Sequence, residues 1–272
     1  MIYSSNFKIN LSLSLLFRRE DGFTELESVF YPVANSELCD IVEIVENGGD
    51  KLSFSNSGIV VDCPMEKNLC VRAYRSMVES YGVPQGVDIH LHKRIPFGAG
   101  LGAGSANATT VLKITNRLFG LGLSDDELER HSAKLGSDTA FFVRERAALA
   151  TSRGEILSPV DLDLSGYYLA LIKPEVNVST AEAYRLVTPR EPEVMPREAI
   201  GRPIEEWRGV LKNDFEEPMF RRYPILGELK QLHYDSGALY SAMSGSGSTV
   251  FGIYSKFPKI QVRGHFSVIL GL

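Results

Sequence analysis

The chain has 272 residues, and its 44% hydrophobic and 23% charged residues are typical of a soluble globular protein that forms its core without disulfides or metals. Its 29 basic and 34 acidic residues give a net charge of −5, which excludes a global basic field, so we expect no nucleic-acid partner. The three cysteines, Cys39, Cys63 and Cys70, include no C-x-x-C pair. We therefore expect a reducing, cytoplasmic environment and no structural zinc site.

The first ninety residues predict mainly strands and turns. Residues 9, 11, 13 and 15 are apolar and alternate with polar residues, which predicts a strand with one buried face rather than an export signal. Asp21-Gly22 predicts a turn, and residues 69–78 have a helical pattern. His90 and His92 share a strand face without a third ligand, so we interpret them as surface residues and expect no metal site there. No apolar run approaches the roughly 18 residues of a membrane span, so we expect no membrane partner.

The most unusual stretch is residues 97–105, in which glycine stands at positions 98, 100, 102 and 104. Apolar residues at helical spacing follow, so a helix is predicted to begin near Ser105. Ser124 and Glu127 form a capping box that opens the next helix, and residues 136–139 end that helix.

A second domain is predicted to begin after residue 156, which divides the chain into residues 1–156 and 157–272. Its pattern predicts a strand at residues 168–172, a helix capped by Ser179, and helices at residues 213–220 and 225–233. Two further strands are predicted within residues 241–254, on either side of a second glycine-rich segment at residues 244–248.

Alternating glycines between a strand and a helix are typical of a phosphate-binding loop. The backbone N–H groups of such a loop converge on an anion, and the following helix points the positive end of its dipole at the same place. No Lys-[Ser/Thr] pair follows at Walker spacing, so this is not a P-loop. The dinucleotide fingerprint fits formally, but no acidic residue lies about twenty residues further on. The HRD and DFG motifs of protein kinases are also missing.

Five segments together form a more specific pattern than the glycines alone. The first glycine-rich segment runs Pro96-Phe97-Gly98-Ala99-Gly100-Leu101-Gly102-Ala103-Gly104-Ser105-Ala106-Asn107-Ala108. The second covers residues 243–252, and the other three are residues 7–11, 21–30 and 135–142. Taken in the order in which they follow along the chain, the five segments resemble motifs of the GHMP kinases. Residues 7–11, 21–30 and 135–142 are similar to the A-K-x-N-L, D-G-Y-H-x-L and G-x-D-x-x-F-F motifs of the branch that acts on a cytidyl diphosphate ester of methylerythritol.

The resemblance implies an α+β fold of two domains with the active site in the cleft between them. The N-terminal ATP domain would resemble ribosomal protein S5, and the C-terminal domain would be ferredoxin-like. The implied reaction transfers the γ-phosphate of ATP, with Mg²⁺, to the 2-hydroxyl of this small-molecule substrate in isoprenoid precursor biosynthesis. We expect a monomer or a weak homodimer. The alternatives are another GHMP small-molecule kinase of the homoserine or mevalonate type, and a non-catalytic relative that binds a nucleotide or metabolite.

The resemblance also implies roles for individual residues. Asp138 would accept the proton of the attacking hydroxyl, and Lys8 would keep that carboxylate ionised and attract the phosphoryl oxygens. Asn10 lies two residues further on the same strand face and would orient Lys8 or a phosphate. The implied ATP-binding residues are Pro96, Phe97, Gly98, Ala99, Gly100, Leu101, Gly102, Ala103, Gly104, Ser105 and Ala106, with Asn68, Leu69 and Lys93 on the adenine side. The implied substrate-binding residues are Phe23, Thr24, Tyr184, Gly245, Ser246 and Gly247.

The chain departs from the family pattern at four of these positions. Ala103 stands where the family usually has glycine and restricts positive φ, and Ala106 stands where the family usually has a small hydroxyl residue. Phe23-Thr24 replaces Tyr-His in the substrate segment. Phe23 keeps an aromatic face for stacking, whereas Thr24 is shorter than histidine. We therefore expect ATP binding to be retained and the details of cytidine recognition to differ. Ser105 is expected to offer its hydroxyl to phosphate or magnesium, to be the helix N-cap, or to do both.

Overall fold

The computed structural model describes residues 1–61, 63–260 and 262–272. Its strands are β1 (Ile2–Ser5), β2 (Phe7–Arg18), β3 (Thr24–Val33), β4 (Asp40–Glu46), β5 (Ser53–Gly58), β6 (Val87–Lys93), β7 (Ala148–Ser152), β8 (Ile156–Pro159), β9 (Tyr168–Lys173), β10 (Tyr240–Met243), β11 (Val250–Tyr254) and β12 (Phe266–Gly271). Its α-helices are α1 (Leu69–Tyr81), α2 (Ala103–Leu118), α3 (Asp125–Ser132), α4 (Phe141–Arg144), α5 (Thr180–Leu186), α6 (Pro196–Ala199), α7 (Glu216–Arg222) and α8 (Pro224–Asp235). Short 3-10 turns cover Met65–Lys67 and Ile204–Glu206.

These elements form two compact units, each assembled from separate stretches of the chain. The first unit consists of Met1–Phe7, Ser36–Phe97 and Gly102–Glu145, and the second of Lys8–Asn35, Gly98–Leu101 and Arg146–Leu272. The predicted α+β class with two domains is confirmed. The boundary after residue 156 stays a prediction, because it divides the chain into contiguous parts whereas the compact units alternate along it.

The first unit is built on a four-stranded sheet in the order β1-β4-β6-β5. β5 runs parallel to β6, and the other neighbours are antiparallel. Helix α2 packs on β1 and β4, and α1 packs on α2. The buried side chains of this core include Val42, Ile44, Tyr74, Met77, Ile89, Leu91, Val111 and Leu112. On the sheet, the Ser57 hydroxyl lies 2.9 Å from a ring nitrogen of His90 and of His92, so both histidines belong to a Ser–His hydrogen-bonded surface.

Capping residues set the helix boundaries of the first unit. The side-chain oxygen of Asn68 accepts a hydrogen bond of 2.9 Å from the backbone N–H of Cys70 and so begins α1. Ser124 and Glu127 form the predicted capping box of α3. Helix α2 begins at Ala103, earlier than predicted, because Gly102 adopts a φ of 68° and is the N-cap. Ser105 therefore lies inside the first turn and is not the N-cap.

The second unit contains sheets in the orders β2-β3-β7-β8 and β10-β11-β9-β12. Residues 7–15 of β2 are buried on both faces, which corrects the prediction of a strand with a single buried face. The buried polar side chains Lys8, Asn10, Ser12 and Ser14 make up the second face. Helix α8 packs on β10 and β11 over a core that includes Ile172, Met219, Leu226, Leu229 and Val250.

Two helix starts in the second unit differ from the sequence predictions. Ser179 is the N-cap residue of α5, but its side chain makes no capping hydrogen bond with any described residue. The helix predicted from residue 213 begins at Glu216, because the side-chain oxygen of Asn213 accepts from the N–H of Phe215 at 3.0 Å and holds a turn there. The predicted strands at residues 168–172 and within 241–254 are confirmed as β9, β10 and β11. Within the described ranges, no helix combines the length and apolar character needed to cross a lipid bilayer.

Candidate active site

The two glycine-rich segments contact each other within the second unit. The hydroxyl of Ser244 donates to the carbonyl oxygen of Gly100 at 2.8 Å, and the N–H of Thr249 donates to the carbonyl oxygen of Ala99 at 3.2 Å. Gly100 has a φ of 76°, and a Cβ placed there would lie 2.0 Å from the carbonyl oxygen of Ser244. Glycine is therefore required at position 100 by both the backbone conformation and the closeness of the second segment.

Strand β2 brings Lys8 and Asn10 to the same place. The backbone N–H of Lys8 donates to the carbonyl oxygen of Leu101 at 3.0 Å, and the N–H of Asn10 donates to the Ser244 hydroxyl at 3.1 Å. The expected contact between the two side chains is present, since the Lys8 ammonium donates to the amide oxygen of Asn10. Lys8 is 3% exposed, and its Nζ lies 4.4 Å from the centre of the Phe30 ring. The ammonium is thus held in a buried, oriented position.

The second glycine-rich segment is anchored by Asn213 in the turn before α7 and by Glu216, the first residue of α7. The side-chain amide of Asn213 donates to the carbonyl oxygens of Met243 and Gly245, at 2.7 Å and 2.8 Å. The carboxylate of Glu216 accepts from the N–H of Met243 at 2.8 Å. The predicted residues Gly245, Ser246 and Gly247 therefore lie in an anchored turn, closed by a 3.0 Å hydrogen bond from the N–H of Gly247 to the carbonyl oxygen of Ser244.

In the first unit, the N-terminus of α2 follows the first glycine-rich segment directly. The N-cap residue Gly102 has no side chain to occupy the N–H groups of the first turn, which are the groups that bind anions at helix N-termini. Ala103 has helical conformation, so the position does not require the positive φ that only glycine adopts easily. The departure from glycine at Ala103 is therefore compatible with this backbone. Ser105 is partly exposed and Ala106 is buried in the same turn.

A buried carboxylate that the sequence analysis missed ties together the two flanks of the first glycine-rich segment. Asp40 accepts from the N–H groups of Arg94 and Ile95 at 2.7 Å and 2.9 Å, just before the segment. It also accepts from the side-chain amide of Asn107 at 3.0 Å, three residues after the last glycine, Gly104. The Lys93 ammonium is the fourth donor, with its Nζ 2.5 Å from Oδ2 of Asp40.

The predicted adenine-side residues have mainly local contacts in the first unit. Lys93 is 2% exposed and its ammonium pairs with Asp40, while burial lowers its pKa and the carboxylate opposes that shift. Its side chain is thus engaged inside the protein. Asn68 is the N-cap of α1. A Cβ on Gly104 would lie 3.6 Å from the Leu69 side chain, so α2 and the start of α1 approach closely.

Asp138 is partly buried in the turn between α3 and α4. Its neighbour Thr139 fixes this turn, because the Thr139 hydroxyl lies 2.6 Å from the carbonyl oxygens of Ser132 and Gly136. The hydroxyl of Thr109 on α2 donates to the carbonyl oxygen of Thr139 at 2.8 Å. The backbone that carries Asp138 is therefore attached to the helix that follows the glycine-rich segment.

Of the other predicted substrate-binding residues, Phe23 and Thr24 lie where β2 turns into β3, and Tyr184 lies on α5. Phe23 is 50% exposed and stacks on the guanidinium of Arg153, whose Cζ lies 4.7 Å from the ring centre. Thr24 is 5% exposed, and its hydroxyl accepts from Nη1 of Arg18 at 2.6 Å. Tyr184 packs edge-to-face on the ring of Phe215, with 5.0 Å between the ring centres.

The second unit thus brings Lys8 and Asn10 together with residues 98–101 and 244–249. The first unit holds the α2 N-terminus, the predicted adenine-side residues and Asp138. The sequence analysis did not single out Asp40 or Ser244. Ser244 lies inside the second glycine-rich segment, and that position in a motif is the feature by which the sequence could have identified it. Asp40 acts on residues 53 to 67 positions away and has no motif of its own.

Two family models match the chain. One, described as the GHMP kinases N terminal domain, matches residues 68–146, and the other, described as GHMP kinases C terminal, matches residues 197–265. A relative from Parabacteroides distasonis, named 4-diphosphocytidyl-2-C-methyl-D-erythritol kinase, is 45% identical over 267 residues, which cover 98% of this chain and 96% of the relative. A relative of the same name from Bacteroides fragilis is 44% identical, with coverage of 96% and 94%.

Solved structures of the same fold are also similar to the chain. A crystal structure of 4-(cytidine 5'-diphospho)-2C-methyl-D-erythritol kinase has a TM-score of 0.77 and 35% identity, and the match covers 93% of this chain and 90% of that one. Homoserine kinase from Cytophaga hutchinsonii has a TM-score of 0.66 at 17% identity, with coverage of 98% and 94%, which shows the fold alone.

Proposed function

Since this chain belongs to the GHMP kinase family, we propose that it transfers the γ-phosphate of ATP to the 2-hydroxyl of 4-diphosphocytidyl-2-C-methyl-D-erythritol. One observation of the structure carries the phosphoryl-transfer chemistry: Lys8, residues 98–101 and the second glycine-rich segment meet within one compact unit. The choice of substrate is supported by the names of full-length relatives at 44–45% identity.

The backbone of residues 98–105 would hold the phosphates of ATP. Phosphoryl transfer depends mainly on positioning and on stabilising charge, and N–H groups at a helix N-terminus supply both. Mg²⁺ accompanies ATP in such reactions and neutralises charge on the phosphate oxygens. The Ser105 hydroxyl, partly exposed in the first turn of α2, is an oxygen donor of the kind that Mg²⁺ binds, and we propose it as a protein contact of the ion or of a phosphate.

Lys8 and Asp138 would divide the chemistry of the transfer. The Lys8 ammonium is fixed by Asn10 and the Phe30 ring, so it supplies a positive charge that need not reorganise as charge develops on the transferred group. The Asp138 carboxylate would accept the proton of the attacking hydroxyl. The remaining expectations for this protein, a reducing cytoplasmic environment and a monomer or weak homodimer, are part of the same proposal.

The experiment measures ATP consumption with 4-diphosphocytidyl-2-C-methyl-D-erythritol, Mg²⁺ and the whole chain. Lys8→Ala and Asp138→Asn should each lower kcat by about 10²- to 10⁴-fold. The double variant should lose far less than the product of the single effects, since the two groups act on one step. Lys256→Ala and Asp161→Asn, which change exposed residues, are the matched controls and should keep wild-type turnover.

Two results would overturn the proposal. If Lys8→Ala and Asp138→Asn both fold and keep more than half of the wild-type kcat, the catalytic assignment is wrong. If the wild-type protein consumes ATP with homoserine or a mevalonate-type alcohol and not with the cytidyl substrate, the substrate assignment is wrong.

A further inference from the structure

An arginine at the end of β2 joins the two segments that carry the candidate substrate residues. Nη1 of Arg18 donates to the Thr24 hydroxyl at 2.6 Å. Nη2 donates to the carbonyl oxygen of Tyr184 at 2.7 Å and reaches that of Val187 at 3.4 Å. Arg18 therefore connects the first residue of β3 with the C-terminal part of α5.

The Arg18–Thr24 pair presents hydrogen-bond donors to a ligand. A guanidinium carries five N–H donors and no acceptor, and the three contacts described use three of them. The Thr24 hydroxyl accepts from Arg18, so its own O–H is left to donate. Thr24 is buried and Arg18 is exposed, so Arg18 is the member of the pair that a ligand meets first.

We propose that Arg18 is a specificity-determining residue that reads the base of the substrate through acceptor atoms. This inference rests on the proposed function. In cytosine, N3 and O2 are adjacent acceptors, whereas in uracil N3 carries a hydrogen. The hydrogen-bond donors of Arg18 and Thr24 match the acceptors of cytosine but face the N3–H donor of uracil. A site built to make a hydrogen bond rejects a ligand that cannot make it.

The same contact accounts for the short side chain at position 24. A threonine cannot extend as far as a histidine, but its hydroxyl accepts a hydrogen bond from the longer side chain of Arg18. Arg18 also fixes the carbonyl of Tyr184, so the donor group and the aromatic segment keep one mutual position. A base that stacks near Phe23 or Tyr184 would then meet the donors in a fixed geometry.

The test compares kcat/KM on the cytidyl substrate and on its uridyl analogue at saturating Mg²⁺ and ATP. Arg18→Met should lower the cytidyl-to-uridyl ratio about tenfold, mainly through KM of the cytidyl substrate, since hydrogen bonds to charged groups are worth about that factor or more. KM for ATP should stay unchanged. Arg18→Lys keeps a positively charged hydrogen-bond donor but loses the planar guanidinium, so it should keep part of the preference for the cytidyl substrate. Arg221→Met, which changes an exposed arginine of α7, is the matched control.

A binding measurement needs no turnover and separates the possible outcomes. Isothermal titration with cytidine diphosphate and uridine diphosphate should show the same loss of preference in Arg18→Met. If both affinities fall equally, Arg18 only positions α5 or contacts the diphosphate, and the inference is wrong. It is also wrong if neither affinity changes in the folded variant. Failure of the proposed function would look different, because the wild-type protein would then phosphorylate neither nucleotide substrate.

Discussion

Asp40→Asn tests whether one buried carboxylate fixes both flanks of the first glycine-rich segment. Each carboxylate oxygen of Asp40 accepts twice: Oδ1 from the N–H groups of Arg94 and Ile95, and Oδ2 from Lys93 and Asn107. Asparagine has the same shape but replaces one oxygen by an N–H₂ group. Whichever way the asparagine amide is oriented, its N–H₂ group faces two of the four donors. The two hydrogen bonds to that position are therefore lost.

The magnitude follows from the burial of the ion pair. Lys93 is 2% exposed and Asp40 is fully buried, so the variant leaves an ammonium without its counter-charge in a low-dielectric site. Breaking a buried ion pair from one side typically costs about 3–5 kcal/mol. A domain is stable by only about 5–15 kcal/mol, so we expect Asp40→Asn to unfold at clearly lower urea concentration. KM for ATP should rise because residues 93–95 and 107 no longer share an anchor.

The assay combines urea unfolding with ATP saturation kinetics. Asp40→Asn combined with Lys93→Met removes both charges and should recover part of the lost stability, since a neutral replacement avoids the unpaired buried charge. KM for ATP should stay raised in that double variant, because the N–H groups of Arg94 and Ile95 still lack the carboxylate. Asp88→Asn is the matched control at the opposite end of β6. Its exposed carboxylate accepts only from neutral groups of the described residues, and we expect a cost below about 1 kcal/mol.

One pattern of results would refute this reasoning. If Asp40→Asn stays within 1 kcal/mol of the wild-type free energy of unfolding and keeps the wild-type KM for ATP, the cluster neither stabilises the first unit nor positions the segment. If stability falls while KM for ATP is unchanged in the folded double variant, Asp40 is a core residue without influence on the nucleotide.

Two further predictions concern the first glycine-rich segment and acid stability. Gly100→Ala should raise KM for ATP strongly, because its Cβ would lie 2.0 Å from the carbonyl oxygen of Ser244; Gly122→Ala, with a φ of 67° and open space around it, should leave KM unchanged. Burial lowers the pKa of His233 to about 4, below its unfolded value near 6.5. Because the unfolded chain then binds a proton at a higher pH than the folded chain does, the free energy of unfolding should fall as the pH drops from 6.5 towards 4. The loss should reach roughly 2 kcal/mol at pH 5. Urea unfolding at pH 7 and pH 5 should show a smaller drop for His233→Gln, and an equal drop would contradict the assignment.

The sequence predicted the parts of the site that are contiguous in the chain. The glycine spacing at residues 98–104 and the helix after it follow from backbone freedom and apolar periodicity, and both are local properties. Lys8 and Asn10 could be placed on one strand face for the same reason. The capping box of α3 was equally local, and Ser124 and Glu127 form it in the structure.

Contacts between distant residues could not be predicted in the same way. Asp40 is the first residue of β4 and belongs to no motif, and its role depends on partners 53 to 67 positions away. The helix predicted from residue 213 begins later because the Asn213 side chain accepts from the N–H of Phe215 and donates to two carbonyl oxygens of the second glycine-rich segment. The apolar periodicity of the sequence carries no information about these hydrogen bonds. The N-cap moved to Gly102 because the backbone there is left-handed, a conformation that apolar spacing does not encode.

The first glycine-rich segment has no lysine of its own, so its polarity towards a phosphate must come from the backbone. Its carbonyl oxygens at Ala99, Gly100 and Leu101 all accept hydrogen bonds, from Thr249, Ser244 and Lys8. With three consecutive acceptors engaged by the protein, the N–H groups are the polar groups that the segment has for a ligand. A loop whose acceptors are turned inward in this way attracts an anion without a charged side chain. We therefore expect the second glycine-rich segment to influence nucleotide binding by orienting the first, and substitutions at Ser244 should affect KM for ATP.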